Sequence, residues 1–250
     1  MTDSQLTHHR CALTLMVQVP LAEADAAPIP PLTPSDSTIL KQCFLRDLAG
    51  NIGVIVDDGR AEGAVIFEPP KSEPLLRELV PQSFKLFPQR GETHGDVLSK
   101  ATEDLFSRGF PSVCLINSNT PTVPRATFEY AIESLSGSGD RIVVGALERG
   151  GYYLIGVKQA HRDLFEGLSS TANIVVHVKA RTAAMGVRIE MLPPWYEVTD
   201  ARGLNRLCKE VLDPVNAQRT LSAPYTTQCL ARLVETYGVE QLSPDLASRS

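Results

Sequence analysis

The chain is poor in the features that mark several large protein classes. Its 250 residues include five cysteines, Cys11, Cys43, Cys114, Cys208 and Cys229, and none of them forms a C-x-x-C pair. An odd number without close spacing argues against a disulfide framework or a zinc site. Free thiols in a reducing compartment are the reading that remains. No apolar run approaches the ~20 residues that cross a membrane. There is no basic run and no aromatic–basic stripe, and the net charge is -5, so nothing points to a nucleic-acid partner. Residues 1–10 are polar and lack the basic-then-apolar plan of a secretion signal, which makes a cytoplasmic location the expectation. His8-His9 is too short to act as a metal-binding tract. The signatures G-x-S-x-G, G-x-x-x-x-G-K-[ST], H-E-x-x-H and G-x-G-x-x-G after the first strand are all missing.

What is present is an ordinary globular balance, with 43% hydrophobic and 21% charged residues. Residues 11–19 read as a first strand closed by Pro20, and 21–31 as an Ala- and Pro-rich loop. Thr33, Pro34 and Asp36 suit a helix start, and the helix is expected to reach about Leu48. Residues 51–57 fit either a helix tail or a short strand. Further strands are expected over 64–67, 84–87, 112–116, 142–147, 152–157 and 187–192, and further helices over 73–79, 96–108, 125–135, 171–185, 200–212 and 226–237. Strands and helices alternate without repeats. This predicts one α/β, Rossmann-like domain with a mostly parallel central sheet and an antiparallel hairpin inserted late. The division expected is a main domain over 1–212 and a C-terminal helical extension over 213–250. The extension leaves a homodimer open without demanding one.

In such sheets, ligands sit at the carboxyl ends of the strands. The stretch Asn117-Ser118-Asn119-Thr120-Pro121 follows a buried apolar strand, and Gly150-Gly151 lies between two strands. Position alone supports a ligand site and no particular reaction.

Three stretches are more specific: Leu115 to Pro121, Glu148-Arg149-Gly150-Gly151-Tyr152-Tyr153-Leu154-Ile155-Gly156, and Leu192-Pro193-Pro194-Trp195-Tyr196-Glu197-Val198. With Pro30 to Pro34, Pro88-Gln89-Arg90-Gly91 and Leu164-Phe165-Glu166-Gly167, they resemble, in this order, a bacterial family of small GT-A-type sugar-nucleotide transferases. The resemblance covers residues 30–207. It implies a GT-A fold of the nucleotide-diphospho-sugar transferase superfamily, a nucleotide-sugar donor, a small-molecule acceptor and a divalent metal, Mg²⁺ or Mn²⁺.

The chain departs from the family at its charged positions. The family's Lys-Thr-Arg run after the first strand is replaced by a loop carrying Glu23 and Asp25. Its Ser-Asp-Ser-Pro is Ser118-Asn119-Thr120-Pro121 here. Arg149 replaces the Asp of Glu-Asp-Gly-Gly, and Asp-Val-Asp becomes Glu197-Val198-Thr199, with Asp200 one position late. The tryptophan before Ser-Thr is absent at Ser169-Ser170-Thr171. An Asn amide ligates hard cations without supplying charge, so the metal is left open.

Each candidate has two readings. Asn119 either stabilises a turn or contacts a ligand. Arg149 is either a surface charge or a guanidinium that neutralises a diphosphate in place of metal. Gly150-Gly151 either makes a turn or admits a ligand close to the backbone. Tyr152 and Tyr153 face opposite sides of a strand, so one packs and the other is available to a ligand. Trp195 either anchors a loop or stacks on a sugar or base. Glu197 and Asp200 suit a general base, and Asp200 equally suits a helix cap. His94, His161 and His177 are expected on surfaces, without chemistry.

The function expected is a glycosyltransferase. Arg149, Glu197 and Asp200 would be catalytic. Gln89, Asn117, Asn119, Gly150, Gly151, Tyr152 and Trp195 would contact substrate. A non-catalytic relative that kept the fold is the first alternative, and a nucleotidyltransferase the second.

Overall fold

A computed structural model describes residues 10–20, 27–168, 171–212 and 223–247. The 21–26 part of the acidic loop, Ser169-Ser170 and the start of the C-terminal extension fall outside them. The described residues form a seven-stranded sheet in the order β3-β2-β1-β4-β6-β5-β7. The strands are β1 Cys11–Gln18, β2 Ala61–Glu68, β3 Lys85–Pro88, β4 Val113–Asn117, β5 Arg141–Leu147, β6 Tyr152–Val157 and β7 Arg188–Trp195. β1, β2, β3 and β4 run parallel, and β5 pairs parallel with β7. β6 is antiparallel to both neighbours, β4 and β5, and is the return arm of the hairpin expected from the glycine turn.

The central strands are continuous apolar runs because both sheet faces are covered. β4 buries Val113, Cys114, Leu115 and Ile116, and β6 is buried throughout. On one face, Leu13 and Leu15 pack with α1 (Pro34–Asp57), α2 (Glu73–Leu79) and α4 (Arg125–Ser136). On the other, Ala12, Ala64 and Ile66 pack with α3 (His94–Ser107), α5 (Arg162–Phe165) and α6 (Ile174–Met185). The sequence reading of a mostly parallel, doubly covered sheet is therefore borne out.

A third cluster joins the N-terminal half of α1, through Leu40 and Phe44, to α7 (Ala201–Leu212) and α8 (Pro224–Tyr237). Two short helices, α9 (Val239–Leu242) and α10 (Pro244–Ala247), follow.

One open reading is settled and two local expectations are corrected. Residues 51–57 are the end of a single α1 helix, because Ile52 and Ile55 are fully buried against the sheet. The last strand runs on through Pro193 and Pro194 to Trp195. It is an edge strand, where a missing N–H costs no ladder bond. The histidines are partly buried: His161 Nε2 lies 3.0 Å from Asp140 Oδ2, and the Nε2 atoms of His94 and His177 are buried without a hydrogen-bond partner.

Candidate functional site

The chain runs from β1 outward to β2 and β3 and then crosses back to place β4 on the other side of β1, and a crevice opens where the strand order reverses. A cleft of about 500 Å³ lies there. Its walls come from Gln18 of β1, Glu68 of β2, Gln89 after β3, Asn117 at the end of β4 and Ser118 and Asn119 in the turn after it, with Tyr152 of β6 beside them. α3 contributes His94 and Val97, and α1 contributes Lys41.

Local sequence explains the placement. Thr33 caps α1 by accepting from Asp36 N at 3.1 Å, and Thr93 caps α3 by accepting from Asp96 N at 3.2 Å. Asn117 Oδ1 accepts from Asn119 N at 2.9 Å and closes the turn after β4. The turn role therefore belongs to Asn117, and the side chain of Asn119 lines the cleft. Gln89 donates from Nε2 to Glu68 at 2.7 Å at the cleft wall.

A second cavity, of about 180 Å³, is lined by Leu147, Glu148, Arg149, Tyr196, Glu197, Arg202, Gly203 and Arg206. Glu197 connects the two. It lines the second cavity and lies close enough to Asn117 of the cleft for that amide to favour its ionised form. Half-buried, it is held above the ordinary carboxylate range, first by burial and then by the nearby Asp200 charge, against the opposing pull of Arg149.

The strap carrying Glu197 is fixed from both sides. Val198 N donates to Asn119 O at 2.9 Å, and Glu148 N donates to Trp195 O at 2.8 Å. Thr122 Oγ1 lies 3.1 Å from the Tyr196 hydroxyl and 3.0 Å from a Glu210 oxygen, and Tyr196 hydrogen-bonds Glu210 directly. The Arg206 guanidinium stacks over the Tyr196 ring at 4.0 Å and pairs with Glu148.

Arg149 and Asp200 are joined in an ion pair. Asp200 is also the cap of α7, since its Oδ1 accepts from Gly203 N at 2.8 Å. That backbone bond first, and Arg149 second, hold its carboxyl below the usual range. The sequence left Asp200 open between base and cap, and the structure realises the cap.

Trp195 and the Gly150-Gly151 pair occupy packing and turn positions in the structure. Trp195 lines neither cavity among the described residues; its Nε1 reaches Thr122 Oγ1 at 3.4 Å and its ring stacks on Tyr196, so it anchors the strap. Gly150 and Gly151 hold φ near 93° and shape the turn. The space a Cβ on Gly150 would take is met by the Ala172 carbonyl at 2.9 Å, so the side expected to admit a ligand is closed there. Tyr152 and Tyr153 do face opposite ways. Tyr152 borders the cleft, and the Tyr153 hydroxyl donates to Pro193 O at 2.9 Å.

Lys41 and His94 were not assigned from sequence. Lys41 lies half-buried in the cleft and donates to Ala27 O at 2.7 Å, and burial lowers its pKa. His94 is held below its usual pKa by burial, so its imidazole is neutral at pH 7.

The described residues do not fit a resident Mg²⁺ or Mn²⁺. Among the described residues no group of three His, Cys, Asp or Glu side chains converges. Both Asp200 oxygens are committed, Asn117 Oδ1 is used in its turn, and the Glu197 pKa is raised against ionisation.

Comparison with known proteins agrees with this architecture. The fold is that of nucleotide-diphospho-sugar transferases. A protein from Desulfovibrio desulfuricans described as such a transferase superposes with a TM-score of 0.75 at 19% identity, over 91% of this chain and 97% of that one. A cytidylyltransferase from Leptospira borgpetersenii superposes with a TM-score of 0.50 at 11% identity, over 94% and 98%. The model of a family described as an uncharacterized protein conserved in bacteria, DUF2064, matches residues 52–171. The resemblance read from the ordered motifs is thus borne out at the level of the fold. No curated protein matches the chain. No helix among the described residues is long and apolar enough to cross a membrane.

Proposed function

We propose that the protein is a glycosyltransferase. It takes a nucleoside diphosphate sugar in the cleft and passes the sugar to a small acceptor in the second cavity. The observation that carries this reading is the position of Glu197, which lies close to Asn117 of the cleft and lines the adjoining cavity. A half-buried carboxylate with a raised pKa suits a general base working near neutral pH. The acceptor hydroxyl gives its proton to a Glu197 oxygen as it attacks the anomeric carbon.

The leaving diphosphate needs positive charge. Lys41 supplies it from the cleft wall, and Arg149 supplies it once its pairing with Asp200 is exchanged for phosphate oxygens. Asn119, Gln89 and Tyr152 contact the donor, and no step is routed through a metal.

The test is a turnover assay with a panel of nucleotide sugars and small hydroxyl acceptors, reading the released nucleotide. Release of a nucleoside diphosphate that Glu197→Gln abolishes supports the reading. Release of pyrophosphate from a nucleoside triphosphate makes the chain a nucleotidyltransferase instead. One observation favours a non-catalytic binding protein: Arg149 is already neutralised by Asp200. Tight donor binding with no turnover against any acceptor class is the outcome that reading expects.

A further inference from the structure

α8 lies antiparallel against α1, and its register is fixed at both ends. At one end, Asp47 accepts from Tyr225 N at 3.0 Å and from Thr226 N at 2.7 Å, capping α8 from the side. At the other, the Tyr237 hydroxyl bonds the Asp36 carboxylate and accepts from Thr33 N at 3.1 Å. Asp47 to Asp36 is eleven residues back along α1, and Thr226 to Tyr237 is eleven forward along α8. This register sets Cys43, four residues before Asp47, across from Cys229, three residues after Thr226. The two thiols are close enough for each to shift the other's ionisation.

Their setting differs from that of the other cysteines. Cys43 and Cys229 are each half-buried, whereas Cys11, Cys114 and Cys208 are buried. Cys11 and Cys114 also meet, with Sγ atoms 3.8 Å apart, but at the centre of the sheet and out of reach of a dissolved reagent. At this half-buried pair, the neighbouring Cys229 thiol is the largest influence and lowers the Cys43 pKa. Burial and Asp47 oppose a thiolate there, and Arg46 and Arg232 favour it. A thiolate that is both favoured and reachable is the nucleophile in disulfide exchange.

The geometry points to Cys43 and Cys229 as a dithiol modification site, closed into an α1–α8 disulfide by a small disulfide oxidant of the glutathione class. The Cys43 thiolate attacks one sulfur of the oxidant. A mixed disulfide forms and one glutathione thiolate leaves. The Cys229 thiolate then attacks the Cys43 sulfur and expels the second. Two electrons pass from the protein thiols to the oxidant, and the two thiol protons pass to the departing thiolates. The bond would fasten α8 to the helix that carries Lys41 into the cleft. This inference is independent of which reaction the cleft performs.

The full-length protein is incubated with oxidised glutathione, quenched with acid, digested without reductant and analysed by mass spectrometry. The expected product has lost two hydrogens and joins the Cys43 peptide to the Cys229 peptide, and dithiothreitol reverses it. In Cys229→Ser the glutathione stays on Cys43 as a stable mixed disulfide. In Cys43→Ser no cross-link forms. The idea is overturned if both cysteines keep separate glutathione adducts, if neither reacts in the folded protein, or if the cross-link joins other cysteines. The wild-type result decides the matter even where a variant folds poorly.

Discussion

At the scale of single residues, the account rests on the different treatment of two neighbouring carboxylates. Burial raises the Glu197 pKa, while a backbone N–H and a guanidinium lower that of Asp200. A group whose folded pKa is raised contributes stability below its unfolded pKa and loses it as pH rises through the folded value. Ionised Glu197 therefore opposes folding near neutrality. Glu197→Gln is expected to raise the melting temperature at pH 7 to 8 and to leave it unchanged at low pH, as differential scanning calorimetry can check. The same variant should lower kcat by roughly 10²- to 10⁴-fold, the usual contribution of a positioned general base. In the wild type, the acid limb of the kcat/KM profile should lie above the ordinary carboxylate range.

Asp200 has the opposite sign. Its lowered pKa contributes stability above the unfolded value and loses it as pH falls through the folded one. Asp200→Ala removes the α7 cap and should cost about 1 kcal/mol. Asp200→Asn keeps an acceptor for Gly203 N and frees Arg149, so it should retain stability within about 0.5 kcal/mol. Urea unfolding of the two variants separates the cap from the ion pair.

At the scale of elements, the strap after β7 decides where Glu197 points. Tyr196 is held by Thr122 after β4 and by Arg206 and Glu210, one turn apart on α7. Tyr196→Phe leaves Glu210 and Thr122 without the hydroxyl between them and should destabilise the protein by about 1–3 kcal/mol. It should also depress kcat more than it changes donor affinity, because the donor cleft is untouched; initial-rate kinetics measure the split.

The elements were legible in sequence to different degrees. β4 and β6 could be read from their unbroken apolar runs, which only a sheet covered on both faces produces. The far end of α1 was ambiguous because Gly50 and Gly53 weaken helix propensity locally. Burial of Ile52 and Ile55 on the sheet outweighs that deficit. The last strand was expected over 187–192, and the edge position of β7 lets it continue through Pro193 and Pro194. Among site residues, Asn117, Asn119, Gln89 and Tyr152 lie at strand ends or in turns, and strand position announces them. Lys41 and His94 sit on helices, with nothing nearby in sequence to mark them, and tertiary packing alone brings them to the cleft.

At the scale of the whole molecule, the cleft sits where the strand order reverses, and its charge is mixed. Lys41 lines it together with Glu68 and Glu92, and the loop after the first strand has no basic residue. Lys41 from α1 supplies the cation from another direction. Because charge-assisted hydrogen bonds to a diphosphate contribute about 1.5–3 kcal/mol each, Lys41→Met should weaken donor binding roughly 10-fold or more.

The measurement that tests the central claim most directly is a calorimetric titration of wild type and Lys41→Met with a panel of nucleoside mono-, di- and triphosphates and nucleotide sugars, in chelator. The account predicts that the wild type binds one nucleoside diphosphate or its sugar selectively. It predicts that Lys41→Met loses most of that affinity while keeping the wild-type melting temperature. No binding by the wild type to any of these ligands, or binding that Lys41→Met leaves unchanged, would contradict the assignment of the cleft.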